Sequence, residues 1–326
     1  MKTRGQSLDF YITEEEIMKI SVCCAFTIVL FSMNVFSDSL CPPVSDSSWA
    51  RPRNAVTAGN AVELPANTEK YTATSVLLNA KPKTIYEVRF QVLVKGEAKP
   101  ESRIAVNTTM PLAYEERFLS PNAEVFRTFL FNDTTGKKWI NFLYRSGNKN
   151  GVMRISDVTI REFDPGKEKK IILNEPLAWR KANWSSPGTV FTTEPVSDHI
   201  DTGDALCLSL PQTVQNAKST IALRSCPIPF NPDSEYRISA WLKGNAPGTA
   251  GLGIDCWFGK QYKHYYKGEK FSIGTEWKKY SFLFRSPSAA EFPVLELGRT
   301  RGCVTLGSGT NLKKLYLKNW TIEKTR

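Results

Sequence analysis

Tyr86-Glu-Val-Arg-Phe-Gln-Val-Leu-Val-Lys95-Gly96 and Tyr236-Arg-Ile-Ser-Ala-Trp-Leu-Lys243-Gly244 are two versions of one strand. Each alternates apolar and polar residues with a period of two, the mark of a strand with one buried face. The tyrosine-to-lysine spacing is nine residues in the first and seven in the second, and a difference of two leaves every side chain on its original face. Further out, Phe129-Leu130-Phe131 is answered by Phe282-Leu283-Phe284, each followed eight residues later by an aromatic, Trp139 and Phe292. Asp157-Val158-Thr159-Ile160 is answered by Asn319-Trp320-Thr321-Ile322. The same segments in the same order predict an internal duplication.

The segments are rich in Val, Ile, Phe, Tyr and Thr and are punctuated by Pro, Gly, Asn and Asp, and no amphipathic helix of three turns stands out after residue 41. The expected architecture is all-β: two tandem antiparallel β-sandwich domains at 44–163 and 171–325. The charged, turn-forming stretch Asp164-Pro-Gly-Lys-Glu-Lys-Lys170 is the expected linker, 164–170. A length of 326 residues, 41% of them hydrophobic, supplies apolar material for two such cores.

Ahead of them, Ile20 to Phe36 runs seventeen residues without a charge, after Met18-Lys19 and before Ser37. This positive, apolar, small-residue order is that of a secretory signal peptide, expected at 1–37 with cleavage after Ser37. Glu14-Glu15-Glu16 fits the leading region of a signal poorly, which points to Met18 as the start. The competing reading is an uncleaved signal anchor, the one expected route to a membrane, since seventeen residues lie at the short limit for a span. The expected location is secreted, periplasmic or at the cell surface.

The formal charge is +11, and residues 42–326 carry 40 basic against 27 acidic groups. Only two histidines occur, His199 and His264, which excludes a three-histidine metal centre. No phosphate loop, nucleophile elbow or metal-ligand cluster is present. Nucleic acid is not an expected partner, since no recognition helix or RNA-binding motif accompanies the charge. Cys207, Cys226, Cys256 and Cys303 leave two readings open, two disulfides with three connectivities or four small buried apolar residues.

In the second copy Asp204-Ala-Leu-Cys-Leu-Ser-Leu210, the Tyr236 strand, Thr275-Glu-Trp277-Lys-Lys-Tyr-Ser-Phe-Leu-Phe284 and the closing Leu-Tyr-Leu-Lys-Asn-Trp-Thr-Ile strand follow one another. This order resembles the carbohydrate-binding modules of the galactose-binding-like jelly-roll group, families four, nine, sixteen and twenty-two. The resemblance covers most of copy two and the latter two thirds of copy one. It implies two jelly rolls that bind a poly- or oligosaccharide without catalysis. It also implies a structural calcium beside the last strand, for which copy one offers Asp157 and copy two, with Lys318-Asn319, offers no acid; no other cofactor is expected. The tryptophan ahead of the triplet in copy two, Trp277, aligns with Glu124.

Sugars are read by flat aromatic rings with polar groups alongside. The densest such set runs from Trp257 to Lys267, with five aromatics and three lysines. It nominates Trp257, Tyr262, His264, Tyr265 and Tyr266 as carbohydrate contacts, against the plain alternative of an edge hairpin whose tyrosines cover the sandwich. Trp179 and Trp184 in a loop-like stretch, and Arg299 near a strand end, complete the expected site, while Trp241 reads as core and Trp277 as packing. Trp49, Arg103, Tyr114 and Arg145 in copy one are thinner candidates. Six lysines against two glutamates between Lys260 and Lys279 favour an acidic polysaccharide. Two alternatives stand beside the binder: a jelly-roll lyase with Tyr265 or His264 as base and Arg299 neutralising a uronate, and a structural adhesion protein.

Overall fold

The computed structural model describes residues 39–326 except 52–54, 96–101, 111–113, 119–123, 147–150, 183–189, 196–203, 210–219, 259–262, 289–299 and 308–311; at 58, 114–118, 181, 190–195, 204, 220, 256–258 and 263–265 it describes backbone only. The proposed signal segment 1–37 lies outside the described residues. Among the described residues no helix is long and apolar enough to cross a membrane.

The first ten strands are β1 (Trp49–Ala50), β2 (Val56–Ala58), β3 (Ala61–Pro65), β4 (Thr72–Ala80), β5 (Thr84–Lys95), β6 (Arg103–Thr108), β7 (Tyr114–Phe118), β8 (Glu124–Asn132), β9 (Gly136–Arg145) and β10 (Val152–Phe163). They form two five-stranded sheets, A in the order β1-β4-β9-β6-β7 and B in the order β2-β3-β10-β5-β8. After β11 (Lys170–Leu173) and a 3-10 turn at Pro176–Ala178 come β12 (Trp179–Lys181), β13 (Val190–Pro195), β14 (Asp204–Ser209), β15 (Thr220–Pro227), β16 (Glu235–Gly244), β17 (Gly248–Phe258), β18 (Lys263–Ile273), β19 (Lys278–Arg285), β20 (Thr300–Leu306) and β21 (Lys314–Lys324). Sheet C runs β13-β14-β21-β16-β19, with β11 also on β21, and sheet D runs β12-β15-β20-β17-β18.

All these pairings are antiparallel, and strand for strand the second order repeats the first. The chain is thus all-β, two antiparallel sandwiches in tandem.

The duplication reaches single atoms. Lys83 and Asp233 both adopt a left-handed backbone, φ 51° and 53°, one residue after a proline. Three residues on, Tyr86 and Tyr236 enter each core, and their hydroxyls accept the backbone N–H of Lys81 and Asn231, both at 2.7 Å. Asp157 and Asn319, at φ 52° and 50°, mark equivalent bulges in β10 and β21. Asp and Asn tolerate that conformation better than other residues with a side chain.

One expectation needs correction. Leu130 pairs with Tyr86, but it is Phe284, not Leu283, that pairs with Tyr236. The two Phe-Leu-Phe triplets are therefore offset by one residue, which reverses their faces. In copy two Phe282 and Phe284 are core and Leu283 is 52% exposed. In copy one Leu130 is core, and Phe129 and Phe131 leave their own sandwich to join the core of the other, with Ile85 and Phe163. The same offset places Glu124 opposite Val92 as Lys278 stands opposite Leu242, so Trp277 has no counterpart in Glu124.

The outer face of sheet B is thereby an interface. Leu177, from the 3-10 turn, is buried with the first core in return. Between them Arg127 binds Glu87 through Nε at 2.7 Å and donates from Nη1 to the Ile172 carbonyl at 2.6 Å. Glu175 lies 3.5 Å from Arg127 and 3.2 Å from Arg89, and Arg161 bridges Glu87 and Glu168. Burial works against the Arg127 charge, but the Glu87 and Glu175 carboxylates outweigh it and hold its pKa above the ordinary arginine value. Residues 164–168 form a turn closed by Asp164, which accepts from Gly166, Lys167 and Glu168.

Candidate functional site

β15, β20, β17 and β18 turn one set of side chains into the sandwich, including Leu223, Val304, Leu252 and Ile254. The alternate set on the outer face of sheet D is polar. Its rungs are fixed by pairing: Arg224 faces Cys303, Cys303 faces Gly253 and Gly253 faces Gly268. On the next rung Arg301 faces Asp255, and Asp255 faces Tyr266.

Three glycines form the floor of this face. A Cβ on Gly253 would lie 2.9 Å from the Tyr266 ring and 3.0 Å from Cys303 Sγ, and one on Gly268 would lie 2.5 Å from the Tyr266 hydroxyl. A Cβ on Gly251 would meet Thr305 Oγ1 at 2.5 Å. The Tyr266 ring lies across the space that side chains would fill, while 40% of the residue remains exposed. Its phenol is pushed up to about 12, first by burial, then by Cys303 and Asp255, against a hydrogen bond with Thr305.

Beside the ring, Asp255 is fully buried and ion-paired with Arg224. Burial lowers the Arg224 pKa, Asp255 opposes that, and Arg301 adds to it. The Cys303 thiol is raised well above its usual range by burial and by Asp255. Neither the phenol nor the thiol is ionised at neutral pH, and the carboxylate is engaged by Arg224. Asp255 and Cys303 present no surface to solvent and the Arg224 side chain little, so the Tyr266 ring is what this part of the sheet offers a ligand, and neither the phenol nor the thiol is set for proton transfer.

Of the expected contacts, Tyr266 occupies this face. Trp257 and His264 pair with each other two residues further along β17 and β18, and Tyr265 pairs with Cys256, but their side chains lie outside the described residues, as do Tyr262, Trp184 and Arg299 altogether. Trp179 is a correction. It is 2% exposed, meets Trp320 edge-on at 5.8 Å and donates its indole N–H to the Leu173 carbonyl. The stretch expected as a loop is β12, and its alternation points Trp179 inward, as it does the buried Trp49 in copy one. Trp241 is a second correction: it lies on the outer face of β16, half-buried, while Ala240 and Leu242 fill the core.

Sequence reasoning missed Arg224 and Asp255, which sit in runs that read only as strand. The interval glycines at 251 and 253 were the available signal, since glycine inside a strand marks a close approach. Cys207, Cys226 and Cys303 are buried in the second sandwich, and the Cys256 side chain lies outside the described residues. Asp157 is exposed at its bulge, beside a shallow depression that Arg154 also lines. Among the described residues no group of three or more His, Cys, Asp or Glu side chains could hold a metal ion.

The outer face of sheet A offers the equivalent position in copy one. Ser75 donates to Asn141 Oδ1 at 2.6 Å, with Asn107 on the same rung and exposed Trp139 two residues along. Arg103 faces Arg145, whose guanidinium lies over Tyr71 at 5.5 Å.

No family model and no curated protein matches the chain. Among solved structures it is similar to the tandem of family 22 carbohydrate-binding modules at the N-terminus of Xyn10C from Paenibacillus barcinonensis. That match has 12% identity over 89% of this chain and 98% of that one, with a TM-score of 0.36. A family 4 carbohydrate-binding module matches at 13% identity over 42% of this chain and 79% of its own, with a TM-score of 0.30. A xanthan lyase from Paenibacillus matches at 11% over 88% of this chain and 25% of its own, with a TM-score of 0.25. Likeness at this level concerns the fold.

Proposed function

We propose that the chain is an exported, non-catalytic glycan binder whose principal site is the outer face of sheet D. The observation that carries this reading is the Tyr266 ring laid over a glycine floor beside the buried Arg224–Asp255 pair. A sugar offers a C–H face to a flat ring and hydroxyls to polar groups at its rim. Polar groups already desolvated and paired with each other need little reordering when a ligand arrives. Arg180, Arg224 and Arg301 stand against one carboxylate among the described side chains of this face, which favours an acidic sugar. The raised phenol keeps Tyr266 neutral, as a stacking ring requires; the side chains of Tyr265 and His264, the bases of the lyase reading, lie outside the described residues.

The test is a glycan array probed with the chain at low and at physiological salt. Retention of at least one polysaccharide, with no reducing ends or unsaturated products released, is expected. Tyr266→Ala weakens that retention about tenfold, the scale of one stacking contact, and leaves the thermal midpoint nearly unchanged. Unsaturated products would transfer the reading to a lyase, and retention by no glycan would end it.

A further inference from the structure

The opposite side of the second sandwich carries a second aromatic and basic surface. On the outer face of sheet C, Trp241 is flanked by Lys279 on β19 and Lys318 on β21, and the next rung holds Lys243 opposite Tyr316. Trp277, one residue ahead of β19, meets Tyr316 at 6.5 Å between centroids, and Lys318 Nζ lies 5.7 Å from the Trp277 ring. Trp241, Trp277 and Tyr316 are all half-buried, and Lys279 is exposed.

The core does not require this set. At the equivalent pairing positions copy one has Gln91 for Trp241, Val125 for Lys279, Ser156 for Lys318, Leu93 for Lys243 and Arg154 for Tyr316. That sandwich closes over the same strand order with a shallow depression there. The rings and ammonium groups are an addition of copy two, on a face that its own packing leaves outward.

We propose that this face binds a polyuronate, a sugar chain bearing carboxylates at regular intervals, independently of the sheet D site. Lys318 is only 7% exposed, with its ammonium held against the Trp277 ring, so the ammonium groups open to a ligand are those of Lys279, exposed directly across from Trp241, and of half-buried Lys243, one rung along on the same face. A chain lying over Trp241 would meet the flat ring with these two ammonium groups beside it.

The experiment is affinity electrophoresis of the full chain in polygalacturonate, with heparin and duplex DNA as comparison polyanions, at low and physiological salt. Polygalacturonate retards the chain at both. Trp241→Gln, which installs the copy-one residue, weakens this about tenfold, and Tyr266→Ala leaves the remaining retardation of this site in place. A Lys243→Ser/Lys279→Ser double variant also weakens it and flattens the salt dependence; it carries the test should Trp241→Gln lower the thermal midpoint. Absence of retardation at physiological salt overturns the proposal. So does retardation that follows charge alone, heparin and DNA included, and ignores Trp241. Retardation abolished by Tyr266→Ala alone assigns all binding to sheet D and overturns this inference while leaving the principal site standing.

Discussion

Gly253 and Gly268 carry no side chain because the Tyr266 ring occupies the space one would need. Gly253→Ala is expected to displace that ring and to lower glycan affinity as Tyr266→Ala does. Overpacking adds about 1–3 kcal/mol of destabilisation, read as a fall in the thermal midpoint that Tyr266→Ala does not share. Titration makes a further residue-scale prediction. Burial raises the phenols of Tyr144, Tyr236 and Tyr266, so their neutral forms persist in the fold. The unfolded chain ionises first, at about pH 10, and binds fewer protons, so stability falls as pH rises through that value. For Tyr266 the loss continues to about pH 12. The thermal midpoint followed across alkaline pH should decline, less steeply in Tyr266→Phe.

At the scale of the element, β8 and β19 share a triplet but not a register. Phe129 is 1% exposed, meets Phe163 edge-on at 4.9 Å and lies under the Arg127 guanidinium. Phe129→Ala is expected to cost about 3–5 kcal/mol, whereas Leu283→Ala, on the exposed face, should stay within about 0.5 kcal/mol. Chemical denaturation of both variants checks the offset directly, and equal costs would contradict it. The strands themselves were legible: the Tyr86 and Tyr236 runs alternate, and both tyrosines enter the core as the pattern requires. The one-residue offset was not legible, because a triplet of two phenylalanines around a leucine reads the same on either face. Only the partner strand decides which way it turns.

For the whole molecule, residues 40–326 form one compact unit in which aromatic side chains of one sandwich complete the core of the other. Arg127→Ala leaves Glu87 paired with Arg161 alone and Glu175 with Arg89, and removes the bond to the Ile172 carbonyl, so its cost should fall below the about 3–5 kcal/mol of a fully stranded buried charge. Scanning calorimetry should show the single transition of the parent divided into two, one per sandwich. A single undivided transition at the parent's midpoint would show that the ion pairs do not couple the halves.

Periodicity and repetition, properties of adjacent residues, were sufficient by themselves to specify an all-β chain written twice, and the composition of the 257–267 run to nominate Tyr266. Which rings face water was decided by tertiary structure alone. Trp179 is sealed in the core and Trp241 stands outside it because facing depends on strand register and on what lies across the sheet. The Arg224–Asp255 pair joins residues thirty-one apart in sequence, brought together by hydrogen bonding through β20, a strand that lies further along the chain than either.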